Sequence, residues 1–577
     1  MISASLFSWS EIFSMSITSL LLLTLLPGHQ QVADDATLSK IREEGLNHSQ
    51  VSKTLSYLTD VIGERLTGSP SLKRANEWTR DTMTSWGLSN AHLEAWGPFG
   101  RGWQLDRFST QVVAPLDLPL IAYPKAWSPS IGRPVTADVV LIDVKDEAEL
   151  QKFKGKLKGK IVLSGGTTEI PARFTAQGTR FTDEQLDAMK EPQAPRGQRG
   201  AGGAPGGPAG RPNAGNQRAA AALAGTKLRF FMEEGVAAVF DASRSDDGTI
   251  FVQSATVPPP AGVAAPAPGP AAGTTPPPAA PPRRGPSVWD KSAPKTLPQI
   301  TVSSEQYNRM VRMIQQGVSL KINLDLKTSF YDKDLMAYNT VAELPGSDLK
   351  DEVVMCGGHM DSWHSGTGAT DNGAGLVVAM EAVRILKTLG IQPRRTVRVA
   401  LWSGEEQGIF GSQAYVAQHF GSFPKPAAGG FPGGGAPEDR GPLTKLPDYD
   451  KISAYFNLDN GTGKIRGIYC QSNPKVAPIF TEWLKPFADL GASTVTIRNT
   501  GSTDHVSFDA IGIPAFEFIQ DPIEYQSRTH HSNQDVYDRV QIDDLKQASV
   551  IMATFLYNAA MRDEKLPRKA VGGMAAN

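Results

Sequence analysis

Between residues 329 and 561, segments typical of β-strands alternate with segments typical of helices. Strands are expected at residues 352–357, 396–402, 452–458, 494–498 and 515–519, and helices at 375–389, 412–419, 476–490 and 542–561. Parallel strands are joined by crossover helices that cover the faces of the sheet. The alternation therefore predicts an α/β fold, a three-layer, mostly parallel sheet with helices on both faces.

The preceding residues, 129–328, have a different pattern and predict a small β-rich domain. Strands are expected at 135–144, 159–164, 236–241, 297–303 and 319–326, and helices at 227–234 and 305–315. This part contains no cluster of His, Asp and Glu at ligand spacing, so we expect it to shape or cover a site. A helical segment at 51–86 places residues 34–128 in the larger domain, which resumes over 329–565 before a tail of residues 566–577.

Three segments are rich in Pro and Gly, namely residues 192–215, 258–286 and 423–442. They have no apolar periodicity to offset the entropy of ordering, which predicts mobile loops. At the amino terminus the apolar run 17–26 is too short to span a bilayer. Its length fits a signal peptide over residues 1–33, so we expect a secreted or periplasmic protein without a membrane span in the mature chain.

Composition excludes several classes of protein. The 58 basic and 59 acidic residues give a net charge of −1, so no basic field is present to bind nucleic acid. Two cysteines, Cys356 and Cys470, are too few for a disulfide scaffold or a Cys-based zinc finger. Both lie in apolar runs typical of buried strands, which gives no support to a bridge between them.

The residues able to carry chemistry gather where predicted strands end. They follow a strand or open the next helix: His359, Asp361, Asp371, Glu405, Glu406, Asp459, His530 and His531. Open α/β sheets bind ligands beyond the carboxyl ends of their strands. Taken singly each residue is ordinary, but so many carboxylates brought together would repel one another without cations. The pattern therefore predicts a metal centre.

A charge count favours two ions over one. Asp371, Glu406 and Asp459 supply three negative charges and a hydroxide a fourth, which two dications balance. His359 and His531 complete the shells as neutral nitrogen donors. One carboxylate has to bridge, because the ions of such centres lie about 3.5–4 Å apart. Nitrogen and oxygen ligands without thiolate favour Zn²⁺, and Co²⁺ or Mn²⁺ would fit the same ligands.

Five motifs then carry a family resemblance. In chain order they are GHMDSWHSGTGATDNGAG, LWSGEEQGIFGSQAY, YFNLDNG, GSTDHVSFDAIGIPAFE and THHSNQD. Together they resemble the di-zinc exopeptidase family, which includes bacterial leucyl aminopeptidases, glutamate carboxypeptidase II and carboxypeptidase Q. The resemblance covers residues 329–561, and DVIGERLTGSPSLKRANEW at 60–78 is similar to the family's opening helix. The wording HMDSW and HHSxxD is nearest to carboxypeptidase Q.

The resemblance implies a zinc exopeptidase fold, and it implies that residues 129–328 are a protease-associated-like insertion. The resemblance also assigns the ligands to the two zinc ions. His359 and Asp459 would bind one zinc ion. Glu406 and His531 would bind the other, with Asp371 as the bridge.

Two further residues receive catalytic roles. Glu405 would be the general acid and base, as the resemblance implies. Asp361, two residues after His359, is expected to hold the second N–H of that imidazole. In the HHSxxD pattern the ligand is the histidine four residues before Asp535, which favours His531 and leaves His530 as the alternative.

The expected activity is hydrolysis of terminal peptide bonds by a water that two metal ions activate. Two alternatives share the fold: a non-catalytic binding protein of the transferrin receptor type, and a glutaminyl cyclase-like acyltransferase. The complete set of ligands disfavours the first, and the inserted domain disfavours the second. Many relatives dimerise, so the resemblance also allows a homodimer.

The sequence leaves open whether the amino or the carboxyl end of a peptide is cut. A substrate carboxylate needs a cation or another donor, which Arg528 and Tyr525 would supply. A substrate ammonium needs an acceptor, for which the candidates are Asp521, Glu524 and Asp361. His505 and Phe508 either line a specificity pocket or pack in the core.

Overall fold

The computed structural model describes residues 32–191, 214–258, 286–424 and 441–569. Nearly all of the predicted signal peptide, and most of the three Pro/Gly-rich segments, lie outside these residues. Within the described ranges, no helix combines the length and the apolar character needed to cross a membrane.

The helices, in chain order, are α1 (Asp35–Asn47), α2 (Val51–Ser56), α3 (Pro70–Ser85), α4 (Glu147–Gln151), α5 (Asp183–Lys190), α6 (Ala214–Glu233), α7 (Ser304–Gln315), α8 (Ala374–Thr388), α9 (Phe410–His419), α10 (Ala477–Leu484), α11 (His505–Asp509) and α12 (Ile542–Met561). The predicted helical segment 51–86 is thus divided into α2 and α3. A π-helical turn, Tyr57–Ile62, follows α2 and ends at Gly63, which has φ +86°. Helix α3 begins at Pro70 with Ser69 as its N-cap, so local chemistry explains the break.

The strands are β1 (Ser89–Trp96), β2 (Gly102–Ala114), β3 (Leu118–Pro119), β4 (Ala122–Pro124), β5 (Val135–Ile142), β6 (Ile161–Ser164), β7 (Ala238–Ala242), β8 (Gln299–Val302), β9 (Lys321–Tyr331), β10 (Ala337–Leu344), β11 (Leu349–His359), β12 (Arg395–Trp402), β13 (Gly421–Ser422), β14 (Thr444–Lys445), β15 (Ile452–Asn457), β16 (Ile465–Tyr469), β17 (Thr494–Thr496) and β18 (Ala515–Gln520). They form two eight-stranded sheets, and β13 pairs with β14 separately.

The first sheet has the order β1-β10-β12-β11-β15-β18-β16-β17. Its four central strands, β12, β11, β15 and β18, are parallel. Strands β1 and β10 pair antiparallel to their neighbours, whereas β16 is antiparallel to β18 and parallel to β17. The carboxyl ends of the central strands therefore meet at one edge, as the alternation of strands and helices predicts.

Alternate side chains of β11 show how both faces of this sheet are covered. Val354 and Cys356 lie in a core cluster with residues of α8 and α12, while Val353 and Met355 lie in a second cluster with residues of α9 and α11. The central strand is thus buried on both sides, as in covered parallel sheets. The predicted α/β class is confirmed. Cys356 and Cys470 are both buried and free.

The second sheet has the order β3-β2-β9-β5-β6-β7-β8-β4 and its own apolar core. Strands β2, β3 and β4 belong to it, so the predicted boundary between residues 128 and 129 falls inside the segment that builds this sheet. The chain leaves the second sheet at Tyr331 and re-enters the first at Ala337. This sheet lies against the carboxyl edge of the first, through contacts described below.

Candidate metal centre

Three predicted ligands converge at the carboxyl edge of the first sheet. His359 is the last residue of β11, Asp459 follows β15, and Asp371 lies in the turn Ala369–Gly373 that leads into α8. Nε2 of His359 lies 3.3 Å from Oδ1 of Asp371 and 3.4 Å from Oδ1 of Asp459. These atoms are close enough together to hold one metal ion.

A second group shares Asp371. Its Oδ2 lies 3.3 Å from Nε2 of His531 and 3.8 Å from Nε2 of His530. Nε2 of His531 is also 2.8 Å from Oε2 of Glu406, which follows β12. His531 thus contacts both carboxylates at short range, whereas His530 stacks on it with ring centroids 3.7 Å apart. Asp371 presents one carboxylate oxygen to each group, the arrangement that a bridging ligand requires.

Three carboxylate oxygens of these two groups are suited to binding cations. Oδ2 of Asp371, Oε1 of Glu406 and Oδ1 of Asp459 are buried and accept no hydrogen bond from the described residues. Buried acceptors are normally satisfied, and a carboxylate without a partner carries a large desolvation cost. Two imidazoles and three carboxylates without thiolate are a donor set suited to zinc.

The pKa values of the proposed ligands reflect the same crowding of charge. Burial raises the pKa of Glu406 well above its usual value, and Asp371 raises it further. Burial lowers the pKa of His359, but Asp459 and Asp371 outweigh this and raise it well above the usual range. Raised pKa values mean that protons compete with cations for the same carboxylates, so metal binding would be weaker in acid.

Glu405 lies beside these groups without belonging to either. Its Oε2 is 3.9 Å from Nε2 of His359, and 11% of its side chain is exposed. Burial raises the pKa of Glu405 well above its usual value, opposed by His359 and reinforced by Asp459. A carboxyl group whose pKa is raised and which borders a metal centre is suited to act as a general acid and base.

Asp361 has a different contact from the one expected. Nδ1 of His359 lies 2.9 Å from the main-chain oxygen of Asp361, while the carboxylate is 3.7 Å away. That carboxylate instead accepts from Thr67 Oγ1 and from the main-chain N–H groups of Glu405 and Glu406. The carbonyl holds the imidazole, and the side chain fixes the backbone of the two glutamates.

Two other buried residues support the site and were not predicted to do so. Asp535 accepts from the main-chain N–H groups of Thr370 at 2.5 Å and Asp371 at 3.2 Å. The guanidinium of Arg65 donates to the carbonyl oxygens of Met360, Thr367 and Gly368. A charged residue inside the opening-helix motif is the sequence signal that could have identified Arg65.

The second sheet reaches the site through the segment 243–254, which follows β7. Val252 donates to the carbonyl oxygen of His531 at 3.1 Å, and Phe251 forms an antiparallel bridge with Ser532. The side-chain amide of Gln253 lies 3.1 Å from Nδ1 of His531. Residues that follow β7 of the second sheet therefore contact the main chain and Nδ1 of the predicted ligand His531, as expected for a domain that covers the site.

The remaining sequence candidates divide into two groups. His505 and Phe508 are fully buried, and Phe508 stacks on Tyr455 with centroids 4.5 Å apart, so both pack in the core. Tyr525 is 7% exposed and its ring lies 4.8 Å from that of His530. The charged candidates Arg528, Asp521 and Glu524 form ion pairs, which are described below.

Comparison with known proteins supports the family resemblance. Residues 339–556 match the model of peptidase family M28. Carboxypeptidase Q of Mus musculus is 29% identical over 287 residues, which is 50% of this chain and 55% of that protein. The match therefore spans about half the length of this curated relative.

Two solved structures share the fold. A peptidase M28 precursor from Shewanella amazonensis SB2B has a TM-score of 0.59 at 20% identity, covering 93% of this chain and 98% of its own. A zinc aminopeptidase from Bacillus subtilis has a TM-score of 0.50 at 16% identity, covering 90% and 96%. Their coverage extends over both sheets. Residues 339–556 of this chain therefore resemble peptidase family M28.

Proposed function

We propose that the protein is an exopeptidase with two zinc ions, which hydrolyses the terminal peptide bond of peptide substrates. The observation that carries this proposal is the position of Asp371, whose two carboxylate oxygens each lie 3.3 Å from a different imidazole. The match of residues 339–556 to the model of a peptidase family supports the reaction class.

The proposed ligands of one ion are His359 and Asp459, and those of the other are Glu406 and His531, with Asp371 shared. When bound, zinc supplies Lewis acidity, which polarises a scissile carbonyl and makes water a stronger acid near neutral pH. His359 offers Nε2 as a ligand because its Nδ1 is directed at a main-chain carbonyl.

Glu405 is proposed to move the proton. Its carboxylate accepts a proton from the attacking water and delivers it to the nitrogen of the departing amine. A raised pKa favours the second step, and the partial exposure of the side chain keeps it open to substrate. Asp361 positions Glu405 by accepting its main-chain N–H at 3.2 Å.

We also propose that the protein is exported, to the periplasm or the exterior. This proposal rests on the apolar run at residues 17–26 and its length. The role of the second sheet as a protease-associated-like domain is proposed from the resemblance and from its contacts with the His531 loop.

Replacing each of the two adjacent glutamates by glutamine tests their proposed roles as proton carrier and metal ligand. Glu405→Gln should retain zinc while the turnover of an unblocked tripeptide falls by about 10²–10⁴-fold. Glu406→Gln, the matched neighbour, should lose zinc together with activity. Elemental analysis and mass spectrometry of released amino acids, with and without chelator, measure both quantities. Hydrolysis by Glu405→Gln at the wild-type rate would refute its assignment.

A further inference from the structure

A residue that binds the amino end of a substrate has to accept hydrogen bonds from an ammonium group, and three carboxylates are candidates. Asp521 is fully buried and pairs with Arg180 and Arg466 at 2.9 Å. Glu524 pairs with Arg539 at 3.1 Å. The buried carboxylate of Asp361 accepts three hydrogen bonds. Each of these carboxylates is already neutralised or saturated, so none is free to bind a peptide's amino terminus.

Three arginines, Arg173, Arg528 and Arg244, lie on or near the segment 243–254. Two of them are paired with carboxylates. Arg173 forms a bidentate pair with Asp246 at 2.7 and 2.6 Å, and Arg528 lies 3.7 Å from Asp247. Arg244, on the same segment 243–254, has neither an ion pair nor a hydrogen bond with any residue that the structure describes. Its guanidinium lies 4.4 Å over the ring of Phe251, and its side chain is exposed.

The contacts of Phe251 and Val252 place Arg244 near the proposed ligand His531. Phe251, on which it rests, bridges to Ser532, and the next residue, Val252, bonds to the carbonyl of His531. A guanidinium without a partner among the described residues therefore lies beside the His531 segment, where zinc would neutralise the carboxylates of the site.

We infer that Arg244 binds the α-carboxylate of the substrate and makes the site specific for the carboxyl end of a peptide. A planar guanidinium matches a carboxylate with two parallel hydrogen bonds, and stacking on Phe251 orients its plane. The inferred substrates are peptides with a free carboxyl terminus, cut at the last bond. This inference rests on the proposed peptidase function, and it assigns a specificity role to the second sheet.

The test uses N-acetyl-trialanine and its C-terminal amide, with unblocked trialanine as a general substrate. The zinc-loaded wild type is expected to cut the free acid and to spare the amide. Arg244→Gln should raise KM for the free acid by about 10–100-fold, as for loss of a charge-assisted contact, with kcat and zinc content unchanged. Arg244→Lys should retain part of the binding because it keeps the charge.

Arg173→Gln is the matched control, since that arginine lies at the same interface but is already paired with Asp246. It should keep the preference for the acid over the amide. Equal cleavage of acid and amide by the wild type, or an equal rise of KM in Arg173→Gln, would overturn the inference and leave the peptidase proposal intact. If the wild type releases no amino acid from any of the three peptides, the peptidase proposal itself fails.

Discussion

Gln253 is a residue whose importance depends on which nitrogen of His531 carries the proton. Nε2 of His531 faces Asp371 and Glu406, so that nitrogen is the proposed ligand atom and Nδ1 carries the hydrogen. The partner of Nδ1 is then the amide oxygen of Gln253, which rotation of the amide group brings into place. Such a contact orients the ring and makes it a better ligand.

We therefore expect Gln253→Ala to weaken zinc binding by about 10–100-fold, the usual effect of losing a partner of a ligating histidine. Gln253→Glu, which keeps an acceptor at Nδ1, should restore affinity. Competition with a chromogenic chelator measures the dissociation constants. Gln316→Ala, at an exposed position after α7, is the control. Unchanged affinity in Gln253→Ala would show that the contact does not support the ligand.

At the residue scale, the sequence predicts which side chains form the metal centre, but it does not predict the residues from distant segments that contact them. His359, Asp371, Glu405, Glu406, Asp459 and His531 follow strands or open a helix, and the strand-end rule brings them together. Gln253 and Arg244 lie on a loop of another sheet, far away in the chain, and no local pattern marks them. The partner of His359 Nδ1 also differs, because a carbonyl two residues away reaches it more easily than the carboxylate does.

At the scale of elements, the start of α8 packs directly on the end of β15. Gly375, in the first turn of α8, lies so close to Leu458 that an added methyl group would collide with the main-chain oxygen. The next residue, Asp459, is a proposed ligand, and Asp371 precedes the same helix. Close approach of helix and strand thus sets the distance between two ligands.

Gly375→Ala should therefore reduce stability and zinc affinity together. The helical preference for alanine is worth up to about 1 kcal/mol, whereas overpacking costs about 1–3 kcal/mol. Here the colliding atom is a main-chain oxygen and not the end of a flexible side chain. Urea unfolding and zinc titration measure the two effects. Gly132→Ala, where no heavy atom lies within 4 Å of the added carbon, should change neither. A stabilised Gly375→Ala protein would contradict this packing argument.

The central strands were predictable because they are continuous apolar runs bounded by turns. Strand β1 was not predicted, since most of its side chains are partly or fully exposed and its alternation is weak. Strands β2 and β16 were also missed, and both take their place through antiparallel pairing with distant strands. Such pairing depends on tertiary structure and leaves little local signal.

At the scale of the whole molecule, His364 joins the two sheets. It follows β11 of the first sheet, and its Nε2 donates to the carbonyl oxygen of Pro124 in the second at 2.7 Å. Its ring lies 5.0 Å from that of Trp103. Burial lowers the pKa of His364 to about 4, so the folded protein holds this imidazole neutral.

The lowered pKa predicts a loss of stability in acid. Because the unfolded histidine has a pKa near 6.5, the unfolded state binds more protons between about pH 6.5 and 4, and stability falls as the pH decreases through that range. From pH 7 to pH 5 this group should cost about 2 kcal/mol. In His364→Gln, urea unfolding at both pH values should show a decrease smaller by that amount. Identical pH dependence in the two proteins would contradict this role.

The central claim, that five side chains from four strand ends bind two cations around Asp371, is tested most directly by anomalous diffraction at the zinc edge. Crystals grown with zinc should show two peaks, one between His359 and Asp459 and the other between Glu406 and His531, separated by about 3.5–4 Å. Asp371→Ala should abolish at least one of them. A single peak, or peaks away from Asp371, would contradict the account.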